Sequence, residues 1–382
     1  MQLEVHGKRE IATQSPLSYH SEYALNAICP YFTMFPLEYP LRILRRHRQD
    51  NPVVVDPFCG RGTTIYAARK LGLHSYGFDI SPIAVAIAKA KLARATPKAV
   101  LKLAEELMDQ EPKHIPETPF FRQAYSDSTL RDVCALREGL LRIGEDTNSS
   151  ALLRAAALGC LHGPRASDVE KSGYFSNQMP RTFASKPDYS VRYWNRKKLS
   201  PPDISVLSVI KRKLDRIRDL DTPSIGSFER IKRGDARKAE HYRNMSGRLV
   251  VITSPPYYGM RTYVQDQWLR NWFLGGPPEV NYQAHDQIRH CSQDDFVRDL
   301  ARVWTHLKNR ATHIDLYVRL GTIPSRRSDA KALFHGSVEE SRGWRVVYTQ
   351  RAKTASEGKR QADQMRGESA AEAEFDFHAV SV

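Results

Sequence analysis

The sequence predicts an α/β fold, a sheet of seven strands with helices on both faces and a largely helical insertion. Three observations predict it. Short strand-like runs end in Asp56, Asp79 and Thr253, and helix signals follow the first two. The first run leads into Gly60-Arg61-Gly62, a glycine turn between strand and helix. Between 96 and 227 no sheet-like periodicity appears, while Ala, Leu and Arg recur at three- and four-residue spacing.

Taken in order, residues 1–50 form a lead-in with helical segments and a basic run, Arg42, Arg45, Arg46 and Arg48. Residues 51–95 supply two strand–helix units. Val53-Val54-Val55 ends in Asp56, and Thr63 is expected to cap a helix over 64–71. The glycine turn lacks the third glycine of a dinucleotide site, because Ile65 stands there. No Gly-Lys-Ser/Thr follows, so it is not a phosphate loop either. The second strand, 75–79, ends in Asp79, an acid placed to accept both hydroxyls of a ribose. Ser81 and Pro82 then open an alanine-rich helix that runs to about residue 93. The insertion, 96–227, begins with helices over 97–110, 128–143 and 150–161. The sheet resumes with strands over 228–232 and 249–253. A helix over 294–308 capped by Ser292, a strand over 313–320 and a helix over 328–341 follow. Strands over 344–350 and 374–382 read as a closing hairpin. The chain thus divides into 1–95, 96–227 and 228–382, the first and last parts building one sheet.

The most informative stretch is Thr253-Ser254-Pro255-Pro256-Tyr257-Tyr258-Gly259, directly after the run Leu249-Val250-Val251-Ile252. Two prolines fix φ and remove two donors while their carbonyls remain acceptors. Pro255 also drives Ser254 toward an extended conformation. Such a stiff strand-end turn suits a planar ring bearing an exocyclic amino group. Tyr257 offers a stacking surface, and Ser254 Oγ and the Pro255 carbonyl offer acceptors for the two amino protons.

Together these residues resemble the S-adenosylmethionine-dependent DNA methyltransferases that act on amino groups, of cytosine-N4 and adenine-N6 type. Asp56-Pro57-Phe58-Cys59-Gly60-Arg61-Gly62-Thr63 resembles that family's cofactor loop, and Ser254-Pro255-Pro256-Tyr257 its catalytic motif. Cys29-Pro30-Tyr31-Phe32-Thr33-Met34-Phe35-Pro36 is similar to the segment that closes over methionine. Gly234-Asp235-Ala236 resembles the third-strand acid that binds the adenine amino group. The resemblance covers roughly 20–95 and 228–382. It implies a Rossmann-like methyltransferase sheet and S-adenosyl-L-methionine as cofactor. Tyr31, Phe32, Asp56, Phe58, Gly60, Gly62, Thr63, Asp79 and Asp235 are the implied cofactor residues. It implies double-stranded DNA as partner, and leaves a cognate restriction endonuclease open as a second. The insertion lies earlier in the chain than the recognition domain of cofactor-first relatives, so no recognition residue is carried over.

Composition agrees. The 382 residues carry a formal charge of +15, with an isoelectric point near 9.6, which favours a polyanionic partner. Residues 161–240 hold 18 Lys and Arg against 10 Asp and Glu, a net of +8. Bases there mix with aromatics, from Tyr174 and Phe175 through Arg181, Phe183, Lys186, Tyr189 and Arg192 to Tyr193, Trp194, Arg196, Lys197 and Lys198. Bases suit phosphates and aromatics suit an unstacked base, so the insertion is the expected DNA-reading element. Lys211, Arg212, Lys213, Arg216 and Arg218 lie at helical spacing and read as a solvated face. Trp268 and Trp272, four apart, are expected to pack a helix on the sheet or to wall a base pocket. The five cysteines show no metal spacing and read as reduced packing residues. No apolar run approaches a membrane span and no signal peptide is evident, so a cytoplasmic protein is expected.

An aromatic amine is a weak nucleophile, and acceptors on its protons aim its lone pair without a covalent intermediate. The base must leave the duplex to reach such a site. Ser254 in place of an Asp favours cytosine-N4 over adenine-N6, which the motif alone does not separate. A non-catalytic nucleic-acid-binding subunit on the same fold is the alternative of a different class. The intact acids, glycines and Ser254-to-Tyr257 turn argue against it.

Overall fold

The computed structural model describes residues 21–31, 36–164, 166–176, 186–217, 225–259, 267–280, 292–322, 328–352 and 374–382. Its seven-stranded sheet comprises β1 (Val53–Asp56), β2 (Ser75–Asp79), β3 (Ile231–Arg233), β4 (Leu249–Thr253), β5 (Ile314–Gly321), β6 (Trp344–Arg351) and β7 (Glu374–Ser381). The spatial order is β3-β2-β1-β4-β5-β7-β6. β3 through β5 run parallel, and β7 is antiparallel to both β5 and β6. This is the Rossmann-like methyltransferase arrangement, with the closing hairpin the sequence predicts. The order reverses between β1 and β4, and parallel sheets bind ligands beyond the strand ends at such a reversal.

The helices are α1 (Glu38–His47), α2 (Thr63–Leu71), α3 (Pro82–Ala90), α4 (Pro97–Met108), α5 (Pro119–Ala124), α6 (Asp127–Arg142), α7 (Asn148–Leu158), α8 (Pro187–Arg196), α9 (Val206–Asp215), α10 (Trp268–Phe273), α11 (Gln293–Lys308) and α12 (Ala330–Ser341). Their starts follow local chemistry. Ser81, Thr96, Ser126, Thr147, Ser205, Ser292 and Asp329 each accept a backbone N–H from the first turn of the helix that follows. One expected start is corrected. Thr63 is already the first residue of α2, and Gly62 occupies the cap at φ 78°, a conformation that favours glycine.

Strand alternation splits the core into two faces. Val54, Val250 and Ile252 join α1, α3 and insertion helices α4–α9 in one apolar cluster. Val55, Leu249, Val251, Leu316, Val318 and Leu320 join α11 and α12 in the other. β5 is buried along its whole length, as a central strand covered on both faces must be. The third strand is shorter than expected, because Phe228–Arg230 form a 3₁₀ turn and pairing with β2 begins only at Ile231. Trp268 and Trp272 are buried in the cluster that includes Val250 and Ile252 of the sheet, with their rings against Phe120 and Phe121 of α5. The insertion therefore provides part of their pocket, which the spacing of two tryptophans does not reveal. No helix among the described residues is long and apolar enough to cross a membrane.

Candidate active site

The residues singled out by sequence converge at the carboxyl ends of β1, β2 and β4. β1 ends in Asp56 and β4 in Thr253, and the strands are neighbours. Thr253 donates its hydroxyl to Asp56 Oδ1 at 2.6 Å, and Phe58 N donates to the same oxygen at 3.2 Å. Thr64 Oγ1, from the first turn of α2, donates to the Ile252 carbonyl at 3.2 Å. Two hydroxyls thus stitch the glycine loop to the strand that carries Ser254. Burial pushes the Asp56 carboxyl up to about 6, against the opposing hydrogen bonds from Thr253, Thr64 and Phe58.

The two glycines of the loop do different jobs. At Gly60, φ is +48° and an added Cβ would meet nothing within 4 Å, so open space lies beside the backbone. At Gly62 an added Cβ would stand 2.8 Å from Ala88 Cα, so its missing side chain lets the loop pack on α3. Gly60 N donates to Asp79 Oδ2 at 3.0 Å, and Ser81 N donates to Asp79 Oδ1 at 2.9 Å. Each carboxylate oxygen keeps acceptor capacity beyond its one backbone donor. Burial pushes the Asp79 carboxyl up to about 6, opposed by those two bonds.

Tyr31 reaches the same place. Its phenol is pushed well up, first by burial and then by Asp79, while a hydrogen bond with the Ser81 side chain opposes the rise. Phe32 lies outside the described residues. Pro30, beside Tyr31, is tied down by Arg270, whose guanidinium donates to the Pro30 carbonyl at 2.7 Å and to the Leu158 carbonyl at 3.0 Å. Arg270 of α10 thus links the lead-in, the insertion and the segment after the Ser254-to-Tyr257 turn. Asp235 lies beyond β3 with both oxygens on the Arg237 guanidinium, which also bridges to buried Asp299 of α11. An adenine amino group at Asp235 would share that carboxylate with Arg237.

Beyond β4, Ser254 and Tyr257 are half-buried and Pro255 is buried, beside half-buried Pro256. The Tyr257 hydroxyl donates to Glu374 Oε1 at 2.7 Å, with Ser254 beside the phenol. Its ring lies on Gly321, where an added Cβ would come within 2.7 Å of Tyr257 Cε2. Tyr258 bridges to Thr322, so the turn runs along the end of β5. Glu374 escaped sequence reasoning: it stands 117 positions away, and no local pattern marks it. Thr253 and Thr64 were visible only as strand and helix residues.

An adenosine-bearing cofactor fits this geometry. Asp79 keeps acceptor capacity beyond its two backbone donors, Gly60 leaves room for close approach, and the Tyr31 phenol lies beside Ser81 and Asp79. Residues 9–90 match the N6_N4_Mtase family model, a DNA methylase. An 86-residue stretch is 30% identical to the Type II methyltransferase M.MjaII of Methanocaldococcus jannaschii, covering 22% of this chain and 16% of that protein. These matches make the amino-terminal part of this chain similar to DNA methylases of the N4/N6 type. Methyltransferases of this fold use S-adenosylmethionine as methyl donor. Among solved structures, the rRNA methyltransferase AviRa of Streptomyces viridochromogenes aligns over 92% of this chain and 87% of its own at 14% identity. The TM-score of that alignment is 0.33. The N4/N6-type loop falls within the matched segment, and the Ser254-to-Tyr257 turn lies outside it.

Proposed function

We propose that this chain transfers a methyl group from S-adenosylmethionine to the exocyclic N4 amino group of cytosine in double-stranded DNA, with the base swung out of the duplex. The observation that carries the reading is the Thr253–Asp56 hydrogen bond, which holds the glycine loop and the Ser254-Pro-Pro-Tyr turn as one site. When bound, S-adenosylmethionine supplies an electrophilic methyl group. The chain's own residues do the rest. Asp79 accepts ribose hydroxyls. Ser254 Oγ and the Pro255 carbonyl accept the amino protons and orient the lone pair. Tyr257 offers its remaining face to the ring, its hydroxyl fixed by Glu374. Ser254, where an Asp would favour adenine-N6, supports cytosine as the target. Exposed Arg196, Lys197 and Lys198 at the end of α8 support a phosphate-contacting surface on the insertion. A cognate restriction endonuclease and a cytoplasmic setting belong to the same proposal.

Nucleoside mass spectrometry of DNA from cells expressing the protein tests it, with Ser254→Ala as control. 4-Methylcytosine present with the parent and absent with the variant is expected. 6-Methyladenine in its place would move the target to adenine, and neither base would overturn the reading.

A further inference from the structure

The basic run of the lead-in takes no part in the cleft. The fold sets it beside a stretch of sheet whose outward side chains stay exposed or half-buried. Arg42 and Arg46 lie about one turn apart on α1, and both are exposed. α1 borders β5 there: His47 Nε2 and the Tyr317 hydroxyl are 2.9 Å apart, and the Arg319 guanidinium lies 4.3 Å over the Tyr39 ring. Next outward come β7 and then the edge strand β6. On one face of this hairpin α12 packs, with Phe334 stacked on Phe377. On the other, strand pairing sets Tyr348 beside His378, Gln350 beside Asp376 and Arg345 beside Val380. His378 stacks there on Tyr317 at 4.1 Å, and Arg345 and Gln350 remain exposed. Burial, then Asp376, pushes the Tyr348 phenol up, while Arg42 and Arg46 oppose the rise, so both guanidiniums lie near this face. Its carboxylates are committed. Asp376 holds Arg319 through both oxygens, and Asp315 is bonded to His378 and Arg248. Among the described residues no carboxylate pairs with Arg42, Arg46 or Arg345.

Resting on the reading of duplex DNA as substrate, we propose that the exposed side of α1 and this face of the hairpin together carry the phosphate backbone of the duplex beside the cleft. Charge decides the occupant. Guanidiniums with no carboxylate between them suit a row of phosphates, which Arg meets through two parallel hydrogen bonds, and Tyr and Gln add donors to phosphate oxygens. Position agrees with charge. Glu374, the first residue of β7, holds the Tyr257 hydroxyl. His378 lies four residues farther along β7, about 13 Å at the rise of a strand. A duplex crosses that span in about four base pairs. Contacts of this kind read no sequence and instead fix the orientation in which a base meets the cleft.

The test is the affinity of the full chain for duplex DNA, read by fluorescence anisotropy over a range of salt concentrations. Arg42→Ala, Arg46→Ala and Arg345→Ala combined are expected to lower affinity and to flatten the log–log salt slope by about 0.9 for each phosphate no longer neutralised. Calorimetric binding of S-adenosylmethionine to this variant is expected to match wild type, which verifies that it is folded. The three corresponding Arg→Lys changes are expected to keep most of the slope, because the slope counts charges. An Ala variant with the wild-type slope overturns this surface and leaves the proposed function standing. A Lys variant as weak as the Ala variant also overturns it, since the loss would then not come from charge. A wild type that binds no duplex sinks both.

Discussion

At the residue scale, two acids are held at strand ends, Asp56 on β1 and Asp79 on β2. Asp79 titrates near 6 in the fold against 3.8 for an ordinary aspartate, because burial outweighs its two backbone donors. The folded chain therefore keeps a proton that the unfolded chain releases between about pH 3.8 and 6. Stability from this group is full below that window and is lost as pH rises through it. Binding that uses the ionised carboxylate runs the other way. Affinity for S-adenosylmethionine should weaken about tenfold per pH unit below 6. Asp79→Asn should flatten that profile in calorimetry, and an unchanged profile would remove Asp79 from the site. Asp79→Ala should weaken cofactor binding at least about tenfold at neutral pH, from the loss of two charge-assisted hydrogen bonds. Ser254→Ala should leave cofactor binding intact and slow single-turnover transfer to DNA by about 10²–10³. Transfer at the parental rate would exclude Ser254 from the chemistry. The places of Asp56, Asp79 and Thr253 at the sheet tip were legible because each ends a strand run, and Ser254 follows the last of them. Glu374 was not, because its meaning arises only when β7 aligns beside β5 and brings it to Tyr257.

At the element scale, caps and strand ends were readable to within a few residues, because Ser, Thr and Asp announce a helix start locally. The exception, Gly62, needed knowledge of how closely Ala88 approaches. Aromatic content did not reveal the roles within the insertion. Phe175 and Trp194 are wholly buried, whereas Tyr189 is half exposed. α8 is thus anchored by Trp194 and presents its basic end outward. Arg212, expected on a solvated face, is committed to the Ser172 carbonyl. Arg181, Phe183 and Arg218 lie outside the described residues. These placements separate two kinds of variant. Trp194→Ala should destabilise the protein by about 3–5 kcal/mol in denaturant unfolding. Replacing Arg196, Lys197 and Lys198 together by Ala should leave unfolding unchanged. It should also flatten the salt dependence of DNA affinity, by about 0.9 in log–log slope for each phosphate no longer neutralised. An unaltered slope would make those three bases ordinary surface.

At the scale of the whole molecule, the sheet and its seven strands were legible, because strand runs are local features. The sequence did not show that insertion helices would cover one face of the same sheet, since that depends on packing between distant segments. The Thr253–Asp56 hydrogen bond makes this distance concrete, for it joins residues 197 positions apart. Closing so large a loop is slow relative to forming helices, which need only neighbouring residues. The cleft at these strand ends should therefore be among the last parts to mature during refolding. Far-ultraviolet circular dichroism should recover ahead of the ability to retain S-adenosylmethionine, and a stopped-flow comparison of the two signals would detect the lag. During that interval the glycine loop and the Ser-Pro-Pro-Tyr turn exist on separate, still undocked halves. A newborn chain would pass through a helical stage before its two strand-end turns meet.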